Sequence, residues 1–293
     1  MAPLNESAAL VVLLRSGRQP WQRYAELVEE AGSAAAVLEA ERDTQETLFA
    51  DPTPGSVEIA VAATEIEQWQ RDGMRLLTVL DPGYPDNLRT VHDRPPLVFV
   101  AGELLPEDAR SIAIVGARDA TPRGLAAASA VAEQAAAEGY TVVSGLARGI
   151  DTAAHTAALA RGSRTVAVIG TGLRRAYPPE NGELQRRITR EGAVISQFWP
   201  DAPPSKRTFP MRNAVMSGLS LASVVVEASE RSGSRMQARL ALEHGRPVFL
   251  PDWLLEQGWA QALAERPGAH VFRSPREITA VVERLTSSGA LVP

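Results

Sequence analysis

From residue 111 onward the chain is written in short, continuous apolar runs that end in glycine and alternate with helical stretches. That alternation is the pattern of strand, crossover helix, strand repeats. Runs without polar interruption suit strands buried on both faces, so the pattern predicts an α/β fold with a doubly wound, mostly parallel sheet. The predicted strands span 111–115, 140–143, 165–169, 193–198, 221–226 and 247–250, with a further one at 271–273. Ahead of them, 8–14, 21–31 and 33–40 have helical spacing, with Gly32 as a stop and Ser33 as the next N-cap. A turn-rich break at 51–56 precedes a helix to residue 72 and strands at 76–80 and 97–100, and 101–110 reads as a linker. The expected organisation is a small helical module at 1–50, a connecting segment at 51–110 and the α/β core at 111–293.

Several function classes drop out early. No apolar run approaches the roughly 20 residues that span a bilayer. Arg15 and Arg18 follow the short N-terminal apolar run instead of preceding it, the wrong order for a signal peptide. The chain has no cysteine, hence no disulfide framework, thiolate nucleophile or cysteine-based metal centre. A cytoplasmic protein with no membrane partner is expected. Its charge is unevenly placed: residues 1–110 carry 9 Arg against 19 acidic residues, while 111–250 carry 17 basic against 11 acidic ones. An acidic front beside a basic middle suits an accessory module next to a polyanion-binding domain, and a solvated basic surface is the plainer reading.

In an open parallel sheet, ligands bind beyond the carboxyl ends of the strands. The residues there are Gly116-Ala117-Arg118, Ser144-Gly145-Leu146-Ala147-Arg148-Gly149, Gly170-Thr171-Gly172 and, after Glu227, Ser232-Gly233-Ser234-Arg235. Glycines that expose backbone N–H groups, with arginines within three residues, describe an anion site. Arg118 stands where a dinucleotide fingerprint needs its second glycine, and no G-x-x-x-x-G-K-[ST] loop occurs, so hydride and P-loop phosphoryl chemistry are disfavoured. The loop leading to Lys206, Phe209, Arg212 and Asn213 combines basic and aromatic character, with Phe209 either stacking a base or anchoring the loop. Arg212 at a predicted helix start would be completed by a phosphate. Asp151 and His155, four apart, could orient a general base; the plainer reading is that Asp151 caps its helix and His155 bonds locally. His92, His244 and His270 are too scattered along the chain to indicate a metal site, and none is expected.

These residues resemble the DprA/Smf family of DNA-processing proteins. Ile114-Val-Gly-Ala-Arg118 is similar to the family's opening motif, and Ser144-Gly-Leu-Ala-Arg-Gly-Ile-Asp151 with Ala154-His155 to its next. Ala167-Val-Ile-Gly170, Tyr177-Pro178 with Asn181, Phe209-Pro-Met-Arg-Asn213, Val225-Val226-Glu227-Ala228 and Ser232-Gly-Ser234 follow in family order. Asp81-Pro-Gly-Tyr-Pro85 and Pro95-Pro96 with Gly102 resemble the stretch before the core, and the N-terminal helices resemble its sterile-alpha-motif-like module. The resemblance implies an extended Rossmann-like core that binds single-stranded DNA, forms a homodimer and delivers DNA to RecA recombinase in transformation, recombination or repair, without established catalysis or cofactor. DNA phosphates would then lie along Gly116, Arg118, Ser144, Gly145, Arg148, Gly170, Lys206, Arg212 and the 232–235 loop. The sequence departs from the family at Ala214, Gln197, Gln237 and Asp252, and ends soon after the core for a chain carrying the winged helix of many members, as a diverged paralogue would. A nucleotide-binding or nucleotide-hydrolysing enzyme using the same edge, with Glu227 as its carboxylate, is the alternative.

Overall fold

Left-handed glycines punctuate the start of the chain. Helix α1 (Leu4–Ser16) stops at Gly17 with φ 65° and α2 (Trp21–Ala31) at Gly32 with φ 66°, backbone that suits a residue without Cβ. Ser33 then opens α3 (Ala34–Glu46), its hydroxyl accepting the Ala36 N–H at 3.1 Å, while the α1 residue Glu6 accepts the Ala34 and Ala35 N–H groups at 2.6 and 3.2 Å. The computed structural model describes residues 2–46, 54–230 and 232–291. Of the expected break at 51–56, the first three residues lie outside this range and 54–56 begin α4 (Pro54–Arg71). Strand β1 (Met74–Thr78), the one-turn α5 (Asp86–Arg89) and β2 (Leu97–Gly102) follow. Residues 101–110 are more than a linker: the Asp108 carboxylate accepts from the Leu105 N–H at 2.9 Å, the Thr141 hydroxyl at 2.8 Å and the Arg164 guanidinium at 2.8 and 3.0 Å.

The core alternates β3 (Ser111–Gly116), α6 (Pro122–Ala137), β4 (Thr141–Ser144), α7 (Ile150–Ala160), β5 (Thr165–Val168), α8 (Gly182–Glu191), β6 (Ala193–Ser196), α9 (Thr208–Leu219), β7 (Ala222–Glu227), α10 (Gly233–Glu243), β8 (Val248–Pro251), α11 (Gly258–Ala264), β9 (Ala269–Phe272) and α12 (Pro275–Ser287). Both faces of the sheet are covered: in β3, Ile112 and Ile114 join one apolar cluster while Ala113 and Val115 join the other. The nine strands run in the order β1-β2-β6-β5-β4-β3-β7-β8-β9. Strands β3 to β9 pair in parallel, and β2 lies antiparallel to β6 and to β1. This is the predicted α/β architecture, extended at one side by two strands from the segment ahead of the core that join through antiparallel pairings.

After β3 the chain fills the sheet in one direction to β6, then returns to place β7 on the other side of β3. Helices that leave adjacent strands toward opposite sides open a crevice, so the β3/β7 boundary is where such a fold makes room for a ligand. No helix among the described residues is long and apolar enough to cross a membrane.

Candidate functional site

Two adjoining clefts lie over the carboxyl ends of the central strands. The larger, about 510 Å³, sits at the β3/β7 boundary and is lined by Gly116, Arg118, Phe209, Asn213, Glu227 and the Ser232-Gly233-Ser234 turn. The smaller, about 210 Å³, lies over β4 and β5 and is lined by Gly145, Arg148, Gly170, Tyr177 and Glu180. Arg118, Ala147, Phe209 and Arg212 line both. At this shared wall the exposed Arg118 guanidinium lies 5.2 Å from the Phe209 ring centre, and the Tyr177 ring lies 5.7 Å from Phe209 on the smaller-cleft side. A cation–π pair holds the arginine in place without consuming its hydrogen-bond donors.

Two glycines make the wall fit. A Cβ on Gly170 would come 2.9 Å from the Phe209 ring, and one on Gly145 would land 1.7 Å from the Arg212 guanidinium. These residues are small so that side chains can close against the strand ends. Gly145 keeps no spare backbone group: its N–H donates to Asp151 at 3.1 Å and its carbonyl accepts from Arg212. Ser144 is likewise buried, its hydroxyl donating to the Ile114 carbonyl at 2.6 Å.

Arg212 does not open its helix. α9 begins at Thr208, one turn earlier than the sequence suggests, and the guanidinium is buried in the floor between the clefts. It donates to the carbonyls of Gly145 and Val168, the latter at 2.9 Å, and its Nε–H donates to the Asn213 side chain at 3.0 Å. The charge that was expected to need a phosphate is therefore met by strand-end carbonyls and, at longer range, by Asp151. The expectation that Asp151 caps its own helix fails as well: Gly149 precedes α7 with no side-chain cap, and the Asp151 carboxylate turns back to accept from Gly145 and Ala147 N–H groups. Burial raises the Asp151 carboxyl above its usual range, and the Arg212 charge acts against that rise.

His155 is bonded locally, as expected. Its Nδ1 lies 2.7 Å from the Thr165 hydroxyl, whose own proton goes to the Val142 carbonyl at 2.7 Å, so Nδ1 must be the protonated nitrogen. Full burial pushes its pKa down to about 3, which leaves a neutral, structural imidazole. Glu227 is occupied too: its carboxylate accepts the Thr121 hydroxyl at 2.9 Å and the Thr121 N–H at 3.1 Å, while Thr121 caps α6 by accepting the Gly124 N–H.

Of the remaining expected residues, Arg148 is exposed in the smaller cleft with only loose contacts to Glu180 at 3.7 Å and Asp119 at 3.9 Å. Lys206 is exposed but lines neither cleft, and Arg235 turns to a neighbouring groove, 5.3 Å from the Trp259 ring centre. Among the four departures from the family pattern, Gln237 alone reaches the larger cleft. Its Nε2 donates to Ser223 at 3.2 Å. Sequence reasoning missed Tyr177 and Gln257 as lining residues. Tyr177 sits in a Tyr-Pro motif read only as a family marker, and its 39% exposure beside Phe209 is the signal that marks it.

Residues 75–283 match the sequence profile of the family described as DNA recombination-mediator protein A. The chain is 41% identical over 180 residues to DNA processing protein DprA of Streptococcus pneumoniae, a match covering 61% of this chain and 64% of that one. The X-ray structure of DprA from the same species superposes with a TM-score of 0.74 at 30% identity, covering 96% of this chain and 98% of that one. DNA processing protein A from Helicobacter pylori, described for its single-stranded DNA binding mode, gives a TM-score of 0.64 at 25% identity over 72% of this chain and 96% of that one. The chain spans about half to two thirds of the length of several curated relatives it matches.

Proposed function

Because the chain belongs to the DNA recombination-mediator protein A family, whose members carry the names DprA and Smf, we propose that its paired clefts hold a run of single-stranded DNA. The Arg118–Phe209 stack on the shared wall carries this reading: it offers a guanidinium for a phosphate and a ring for a base at one point. Arg148 extends the cationic path across the smaller cleft. Its exposed ion contacts, loose at 3.7 and 3.9 Å, are of a kind worth about 0–1 kcal/mol, so a phosphate displaces them at little cost. On the other side, the first turn of α10 brings backbone N–H groups to the larger cleft. Stacking on Phe209 and Tyr177 requires unpaired bases, which favours single strands over duplex.

Family membership supports the finer parts of the reading: the bound strand is protected and passed to RecA recombinase, and two copies pair through the core. Holding and handing over DNA needs no cofactor. The nucleotide-hydrolysing alternative needs a carboxylate available to substrate, and the engagement of Glu227 by Thr121 speaks against it. Anisotropy of a labelled single-stranded oligonucleotide, titrated at several salt concentrations beside a duplex control, tests the proposal. Preference for the single strand with affinity falling steeply in salt supports it. Absence of binding at low salt, or equal affinity for duplex, removes it.

A further inference from the structure

Away from the clefts, the fold brings together two of the histidines that lie far apart in the chain. His92 and Asp93 are on the loop between α5 and β2, and His244 is the residue that ends α10. His244 Nε2 lies 2.8 Å from Asp93 Oδ1, the two imidazole rings meet edge to face at 5.5 Å, and one ligand atom from each of the three side chains falls within 4.8 Å of the others. His270, by contrast, stacks on Phe249 elsewhere.

We propose that His92, Asp93 and His244 bind a divalent transition-metal ion of the zinc type, which fastens the 90–96 loop to the ends of α9 and α10. Two imidazole nitrogens and one carboxylate oxygen are the donors that borderline metals take. Ligand atoms about 2.0–2.1 Å from a tetrahedral ion stand about 3.3 Å apart, so the hydrogen-bonded His244–Asp93 pair opens by roughly 0.5 Å to admit the ion, and the exposed His92 ring closes on it by rotating. The next shell is in place. Ser217 Oγ lies 2.8 Å from His244 Nδ1 and 3.1 Å from the Ala214 carbonyl. When the hydroxyl proton goes to Ala214, Oγ accepts Nδ1–H and Nε2 presents a lone pair to the metal; without metal, Oγ donates to Nδ1 and Nε2–H donates to Asp93. One hydroxyl thus supports both states. Ser217, His244 and Asp93 have the sequence of contacts of a hydrolytic triad, yet Ser217 is wholly buried and offers no face to a substrate. The adjacent cation is directed elsewhere, since Arg94 donates to Glu29. This inference stands independently of the DNA-binding reading.

The test is a titration of the full chain, free of any affinity tag and stripped with EDTA, with Zn²⁺ against a chromogenic chelator. One Zn²⁺ per chain is expected, with a melting temperature that rises by a few degrees and falls back in EDTA. His92→Ala, at an exposed position, should lower zinc affinity by about tenfold or more while leaving the melting temperature in EDTA unchanged. His270→Ala should leave uptake as it is. Absence of stoichiometric uptake, or uptake that survives both His92→Ala and Asp93→Asn, overturns the site.

Discussion

Arg118 and Arg212 occupy similar places in their motifs, three residues or fewer from a strand-end glycine or a Phe-Pro pair, and the fold gives them opposite jobs. Arg118 is exposed and held only by the Phe209 ring among its described contacts. Replacing it with alanine should leave the free energy of urea unfolding within about 0.5 kcal/mol of the parent. The same change should weaken single-stranded DNA binding and reduce its salt slope by about one, read from anisotropy across a salt series. Arg212 is buried among carbonyls. Arg212→Ala leaves the Gly145 and Val168 carbonyls without that donor and Asp151 without its compensating charge, so about 3–5 kcal/mol of stability should be lost in urea unfolding. A drop in DNA affinity there would report a collapsed floor. The sequence could place both arginines at the right edge, because strand ends are legible from where apolar runs stop. Which one faces solvent depended on α9 starting one turn earlier, at a Thr208 whose following Pro210 is tolerated in a first turn.

Strands were the most legible elements because runs such as Ile112 to Val115 and Val224 to Val226 are apolar on both faces, and only a central strand buries both. The cap on α6 was less so, since the residue that completes it, Glu227, lies on β7 over a hundred positions away. Between α7 and β5, His155 makes a titration that can be predicted with its sign. Its folded pKa, about 3, lies below the ordinary 6.5, so the unfolded chain binds the extra proton between those values. Its contribution is fully present above about pH 6.5 and declines as pH falls. Urea unfolding at about pH 7 and about pH 5 should therefore differ by about 2 kcal/mol more in the parent than in His155→Gln, which cannot titrate. An equal difference in both proteins would remove His155 as the cause.

At the scale of the molecule, the segment ahead of the core is a structural part of the sheet. Strand β2 pairs with the outer side of β6, with Phe99 opposite Ser196 and Val100 opposite Ile195. Against that edge, Trp199 is enclosed by Trp21 of α2 at 5.5 Å, Trp69 of α4 at 6.1 Å and Phe99 of β2 at 6.0 Å, with Arg15 of α1 over its ring at 5.1 Å. Helices α1, α2 and α4 therefore close over Trp199, just beyond the end of β6, a relation hidden in the sequence because its four aromatics come from four separate stretches. Each aromatic pair adds about 0.5–1.5 kcal/mol beyond the area it buries. A chain trimmed to residues 111–293 keeps every residue that lines the two clefts but exposes the β6 edge and strips Trp199 of all these neighbours. An open apolar edge strand pairs with other copies. The trimmed chain should therefore elute as soluble aggregate in size-exclusion chromatography and lack a cooperative urea transition. A monodisperse, cooperatively unfolding 111–293 would instead make the α/β core an independent unit, with the two antiparallel strands as an accessory to it.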